Sequence, residues 1–222
     1  MTLSPRQLRA VFLIFALLFV ALLPFYPHYP GGWAVKAIPA LSLAMLTWRF
    51  VPGIERRWLS LALLFSAAGD AVLGWNDLYG GPYFVIGLVL FLVAHVFFIV
   101  AFATRFALLR SRIPVAALLT GYSALLTWFL WPNLGEMALP VLVYIVVITV
   151  MAIVATLRTM RGNALVLGAL AFMLSDSLLA VNRFWTPVPA ASYWIITSYY
   201  FAQYMIAHAF VGHDGDSVGA VL

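Results

Sequence analysis

The chain has 222 residues, 65% of them hydrophobic and 9% charged, with a formal net charge of +5 and no cysteine. Its mean hydropathy of +1.06 means more apolar surface than one soluble core could bury, so the composition excludes a soluble globular protein and points to an integral membrane protein. The lack of cysteine excludes disulfides, thiol catalysis and thiolate metal sites. The positive charge sits on arginines at the ends of apolar runs, which excludes a nucleic-acid partner.

In chain order, predominantly apolar windows cover 8–24, 33–48, 58–75, 83–104, 113–131, 138–157, 163–181 and 190–211. Each is near the ~17 to 25 residues a helix needs to cross a bilayer, so eight transmembrane spans are predicted. In lipid only helices or a closed barrel satisfy the backbone, and these runs lack the strict alternation of barrel strands. The predicted fold is therefore all-α, with eight transmembrane helices in one bundle over 1–212 and a short polar cytoplasmic tail over 213–222. The first window follows Arg6 and Arg9 as a signal peptide would. It lacks a small-residue cleavage pattern before Pro24, so it is expected to be retained.

Arginine alternates between connections. Arg6 and Arg9 precede the first window; Arg49, Arg56 and Arg57 follow the second; Arg105, Arg110 and Arg112 the fourth; Arg158 and Arg161 the sixth. The other connections hold only Arg183. By the positive-inside rule both termini are expected to be cytoplasmic, with a bacterial inner (cell) membrane as the expected location. Trp33, Trp48, Trp58, Trp75, Trp131 and Trp185 fall at or just beyond window ends, where an amphipathic indole settles.

Two aspartates interrupt this pattern. Asp70, in Gly69-Asp70-Ala71-Val72-Leu73-Gly74, and Asp176, in Ser175-Asp176-Ser177-Leu178-Leu179-Ala180, lie inside the third and seventh windows in similar local frames. A carboxylate at membrane depth costs from about 2.5 kcal/mol upward, which favours a paired function over packing alone. At the helical rise of ~1.5 Å per residue, both fall roughly 7 to 9 Å below the non-cytoplasmic boundary. The following windows carry Phe91-Leu92-Val93-Ala94-His95 and Tyr199-Tyr200-Phe201-Ala202-Gln203, and the paired frames suit an internal repeat of four helices in parallel topology.

Lys36, the only lysine, enters from the same side, one turn before Pro39, which is expected to bend that helix. Its ammonium either snorkels to the interface or reaches a carboxylate or an anionic headgroup. His95 and Gln203 lie deeper and are read as the floor of a cavity. Arg183, seven residues after Asp176, suits either a lipid phosphate or interfacial anchoring. Asn182, Tyr199 and Tyr200 are further polar groups near that cavity. No dense His/Cys cluster or cofactor fingerprint occurs, so neither a metal nor an organic cofactor is expected.

Several fragments together resemble the YhhN-like lysoplasmalogenase membrane family. They are Val35-Lys36-Ala37-Ile38-Pro39; 64–73 around Asp70; Phe84-Val85-Ile86-Gly87 continuing to Phe91 and His95; 168–180 around Asp176 with Asn182 to Phe184; and 198–203. The resemblance implies an eight-helix hydrolase that cleaves the vinyl ether bond of lysoplasmalogens to a fatty aldehyde and a glycerophospho-headgroup product. The family's two characteristic aspartates fall on Asp70 and Asp176, and the implied partners are a lysophospholipid substrate, water and membrane lipids. Such chemistry needs one carboxyl as acid and one as base, and the sequence leaves their assignment open. Lys36, His95, Asn182, Arg183, Tyr200 and Gln203 are the expected substrate-binding residues. The alternative reading is a proton-coupled small-molecule or lipid transporter using the same carboxylates.

Overall fold

A computed structural model describes residues 3–211 apart from 27, 30, 105 and 161. Arg105, Arg161 and the tail 213–222 with His213, Asp214 and Asp216 lie outside the described residues. The helices are α1 (Pro5–Leu22), α2 (Gly32–Phe50), α3 (Glu55–Tyr79), α4 (Tyr83–Ala103), α5 (Ile113–Leu130), α6 (Ala138–Leu157), α7 (Ala164–Phe184) and α8 (Ala191–Val211).

Six of them, α1 and α3 through α7, are long and apolar enough to cross a membrane. The chain is thus an all-helical integral membrane protein. α2 and α8 have crossing length, 19 and 21 residues, but lower hydropathy. Their polar residues Lys36, Tyr199, Tyr200 and Gln203 are buried inside the bundle, so the hydropathy deficit is spent inward instead of being shown to lipid.

Local signals set the ends. Ser4 and Gln7 form a reciprocal capping box at the start of α1, with Pro5 in the first turn. The buried residues of α1, Leu8, Phe12, Ala16 and Phe19, recur every three or four positions and lay one face on α2 and α8. Gly80 and Gly81, both at positive φ, turn the chain between α3 and α4. Tyr26 donates to Asp77 Oδ2 at 2.9 Å and ties the α1–α2 connection to α3. Burial and that carboxyl raise its hydroxyl's pKa well above the ordinary phenol range.

α2 packs on α3 through Ala37, Ala40 and Ala67, and Thr47 and Ser60 share a hydrogen bond at 2.9 Å. Of the small residues preceding Asp70, Ser66, Ala67 and Gly69 face inward while Ala68 is exposed. α7 and α8 approach closely at Gly168, where an added Cβ would stand 2.9 Å from the Ala202 carbonyl oxygen and 3.0 Å from the Ile206 nitrogen. Backbone atoms cannot swing aside as side chains can. Gly168→Val is therefore expected to destabilise the protein by about 1–3 kcal/mol, read as a lowered midpoint of thermal unfolding in detergent.

At the arginine-rich end, the segment after α4 pairs with the end of α6. Leu109 N–H donates to Leu157 O at 2.8 Å and Thr159 N–H to Ala107 O at 2.9 Å. Arg158 is buried there, a correction to its reading as an interfacial charge. Its Nη1 donates to Ala101 O at 3.0 Å and Phe102 O at 2.8 Å, its Nη2 lies 3.8 Å from Glu55 Oε1, and its guanidinium sits over the Phe210 ring. Cation, carbonyls and carboxylate thus clamp the ends of α3, α4, α6 and α8 together.

Candidate functional site

Six helices place titratable side chains in and around one buried cluster: Lys36 from α2, Asp70 from α3, His95 from α4, Tyr144 from α6, Asp176 from α7 and Tyr199 from α8. α1 and α5 supply none and stand outside. A cavity of ≈ 70 Å³, room for a few water molecules, is lined by Lys36, Asp70, Tyr144, Asp176 and Tyr199 together with apolar side chains of α3, α4, α7 and α8. Lys36, Asp70 and Asp176, from three different helices, thus line one cavity.

Each carboxylate has its own tyrosine. Tyr199 Oη donates to Asp70 Oδ2 at 2.6 Å, and Gln203 Nε2 donates to the same phenol oxygen at 2.7 Å. Tyr144 Oη donates to Asp176 Oδ2 at 2.6 Å. Asp70 is 1% exposed, whereas the Asp176 side chain retains 14% and opens onto the cavity and the α6 side. Short donors to a buried carboxylate replace the water it loses, which is what makes two such groups tolerable at this depth.

His95 is fully buried, and its Nδ1 lies 2.6 Å from Phe91 O. A carbonyl oxygen only accepts, so Nδ1 carries a proton there and Nε2 of the neutral ring is left as an acceptor. Among the described residues that atom has no hydrogen-bond partner, and it lies 3.8 Å from Asp176 Oδ2. Phe172 meets both the His95 ring and the Tyr199 ring edge-on, with centroids 4.6 and 5.4 Å apart, and so stands between the two carboxylate clusters.

The remaining predicted residues divide. Gln203 acts behind Tyr199, not on the cavity floor, and His95 stands beside Asp176 instead of below both carboxylates. Tyr200 donates to Lys36 O at 2.9 Å and pins α2 just before Pro39, through which the helix continues. Lys36 is buried against the cavity, and among the described residues its ammonium makes no ion pair. Asn182 Oδ1 accepts Val188 N–H at 2.9 Å and closes the α7–α8 connection. Arg183 is exposed, with its guanidinium 4.8 Å from the Phe84 ring centroid, and Phe84 itself lines the cavity.

Two features escaped the sequence reading. Tyr144 has no motif around it, only the apolar stretch Val141-Leu142-Val143-Tyr144-Ile145-Val146; its one signal is a phenol in mid-span, which needs a partner. Ser175 and Ser177, which flank Asp176 in sequence, turn away from it and donate to Ile195 O and Met173 O at 2.9 and 2.7 Å.

Comparison with known proteins adds the chain's relationships. The sequence model of the YhhN family matches residues 31–210. The chain is 38% identical over 186 residues to a protein of Mycobacterium bovis named lysoplasmalogenase, covering 80% of this chain and 69% of that one. It is 38% identical over 201 residues to human lysoplasmalogenase TMEM86A, with 82% and 80% covered. With lysoplasmalogenase TMEM86B of Sus scrofa the identity is 35% over 185 residues, with 79% and 74% covered. No solved structure matches the chain.

Proposed function

The chain belongs to the YhhN family, and from that membership and the paired carboxylates we infer that it hydrolyses the vinyl ether bond of lysoplasmalogens, releasing a fatty aldehyde and a glycerophospho-headgroup. The observation that carries the reading is the joint lining of one water-sized cavity by Asp70 and Asp176, each held by a tyrosine.

The chemistry needs one proton and one water. Protonation of the alkene carbon distal to oxygen gives an oxocarbenium ion; water adds to it and loses a proton; the hemiacetal collapses to aldehyde and alcohol. We assign the proton donor to Asp176, because the acceptor Nε2 of His95 faces its carboxyl and suits the protonated acid. Of the two carboxyls that line the cavity, Asp70 is the one on which the Lys36 ammonium acts, which favours a charged carboxylate able to stabilise the cation and take the proton from water. The division resembles that of glycosidase carboxylate pairs. Lys36 and Arg183 are the cations available to the substrate phosphate, one inside the cavity and one beside its Phe84 wall. No step calls for a metal or organic cofactor.

Tyr144 and Tyr199 act through the carboxylates they hold. Tyr144→Phe and Tyr199→Phe are each expected to lower kcat by about 10- to 100-fold, the size of one lost hydrogen bond to the charge that Asp70 carries and that Asp176 acquires as it gives up its proton, with KM nearly unchanged and the protein still folded.

We further assign all eight helices to the membrane, with both termini cytoplasmic, on the arginine alternation and the helix lengths. The site also supports a parallel four-helix repeat. Asp70 and Asp176 occupy the third helix of each set, Lys36 and Tyr144 the second, and the outlying α1 and α5 the first.

The test is incubation of purified protein with alkenyl and alkyl lysophospholipids, assayed for aldehyde. Turnover confined to the alkenyl form is expected. Uptake of substrate into vesicles without aldehyde would sink hydrolysis in favour of a carrier.

A further inference from the structure

The carboxylate cavity cannot hold a lipid chain. Its ≈ 70 Å³ suits water and the reacting atoms, whereas pockets for drug-sized ligands run to about 300–1,000 Å³. In a vinyl ether the reacting carbons are the first two of the hydrocarbon chain, so the rest of that chain has to leave the cavity through an apolar wall.

One wall leads to such a volume. A second cavity of ≈ 40 Å³, among α4, α5, α6 and α7, shares Asp176, Tyr144 and Phe84 with the first. On its far side it shares Ser123 and Ile145 with an apolar groove of ≈ 730 Å³ between α5 and α6. From Thr120 to Trp131 the groove extends along α5 for about 16 Å. The partition is thin: the Ser123 and Thr149 hydroxyls bond across it at 2.6 Å, beside Ile145. α5 buries only Ala116, Ser123 and Leu130, so parting it from α6 exposes little apolar surface that lipid would not cover.

We propose that the substrate's hydrocarbon chain lies in this α5–α6 groove and reaches the carboxylates sideways from the bilayer, past Ser123 and Ile145. The proposal rests on the vinyl ether hydrolysis argued above. A smaller groove of ≈ 270 Å³ between α4 and α6 also touches Leu88 and Tyr144. The wider groove is favoured by its volume and because its connecting cavity is lined by Asp176 itself.

The experiment uses the full chain in detergent and a non-hydrolysable alkyl lysophospholipid carrying a diazirine at its chain terminus. After photolysis, adducts are expected on the α5–α6 face, at Trp128, Val146 or Val150, and to decline with excess unlabelled alkyl lysophospholipid. Adducts on Val89 or Val143, or adducts that the competitor leaves unchanged, overturn the groove. Ala124→Trp narrows the groove without touching the carboxylates. It is expected to lower kcat/KM for a long-chain alkenyl substrate relative to a short-chain one on the order of tenfold; equal kcat/KM changes on both chain lengths overturn the proposal. Wild-type protein that releases no aldehyde overturns the hydrolase reading and this one with it, whereas aldehyde with a misplaced label overturns the groove alone.

Discussion

Asp70→Asn and Asp176→Asn are each expected to reduce aldehyde release by ~10² to 10⁴-fold while the protein stays folded. Asparagine keeps the volume and one carbonyl oxygen, so Tyr199 and Tyr144 retain an acceptor at their 2.6 Å contacts. The amide has no acidic proton to give an alkene carbon, which disables Asp176 in its assigned role. It also carries no charge to face an oxocarbenium ion, so loss at Asp70 includes electrostatic stabilisation as well as proton transfer. Turnover and thermal unfolding measured on the same preparations separate chemistry from folding. A folded variant releasing aldehyde at near-native rate removes that residue from the mechanism, and loss of activity with loss of folding supports a packing role only.

The largest effect on stability is expected away from the cavity, at Arg158→Met. The wild-type guanidinium serves Ala101 O, Phe102 O and the buried carboxylate of Glu55. Removing it takes a cation from the buried Glu55 carboxylate and a donor from two helix-end carbonyls, and breaking a buried ion pair in this way typically costs about 3–5 kcal/mol. The Glu55→Gln, Arg158→Met double variant should recover part of that loss, because the buried carboxylate charge that the guanidinium faced is gone. Unfolding midpoints for the two single variants and the double variant form a cycle; an unchanged midpoint for Arg158→Met shows that the clamp contributes nothing.

The sequence reading succeeded where one-dimensional rules are strong. An apolar run of bilayer length must fold as a helix, so all eight windows correspond to helices, and α3 runs a few residues beyond its window at both ends because polar residues such as Asn76 and Asp77 continue a helix as well as apolar ones do. It was weaker where hydropathy and location part company. α2 and α8 are not among the helices that qualify as spans by composition, although their polar residues Lys36, Tyr199, Tyr200 and Gln203 are buried in the bundle, and no composition rule distinguishes a polar residue facing a partner from one facing lipid. Arg158 shows the same ambiguity in reverse, an arginine at a span end that is buried under Phe210.

By itself, the sequence determined the class of the protein, its helices and the two carboxylates that cannot sit in lipid unaided, since each follows from transfer free energies that depend on residue type and spacing alone. Only the tertiary structure decided what those carboxylates meet. Tyr199 is 129 residues from Asp70, and Tyr144 is 32 from Asp176. Such pairings are set by which helix faces pack together, and neighbours in sequence such as Ser175 and Ser177 turn their hydroxyls to backbone carbonyls instead. The cavity, the acceptor face of His95 and the route between α5 and α6 are likewise properties of helix arrangement: they arise where side chains from separate helices stop filling space, and no single segment encodes that gap.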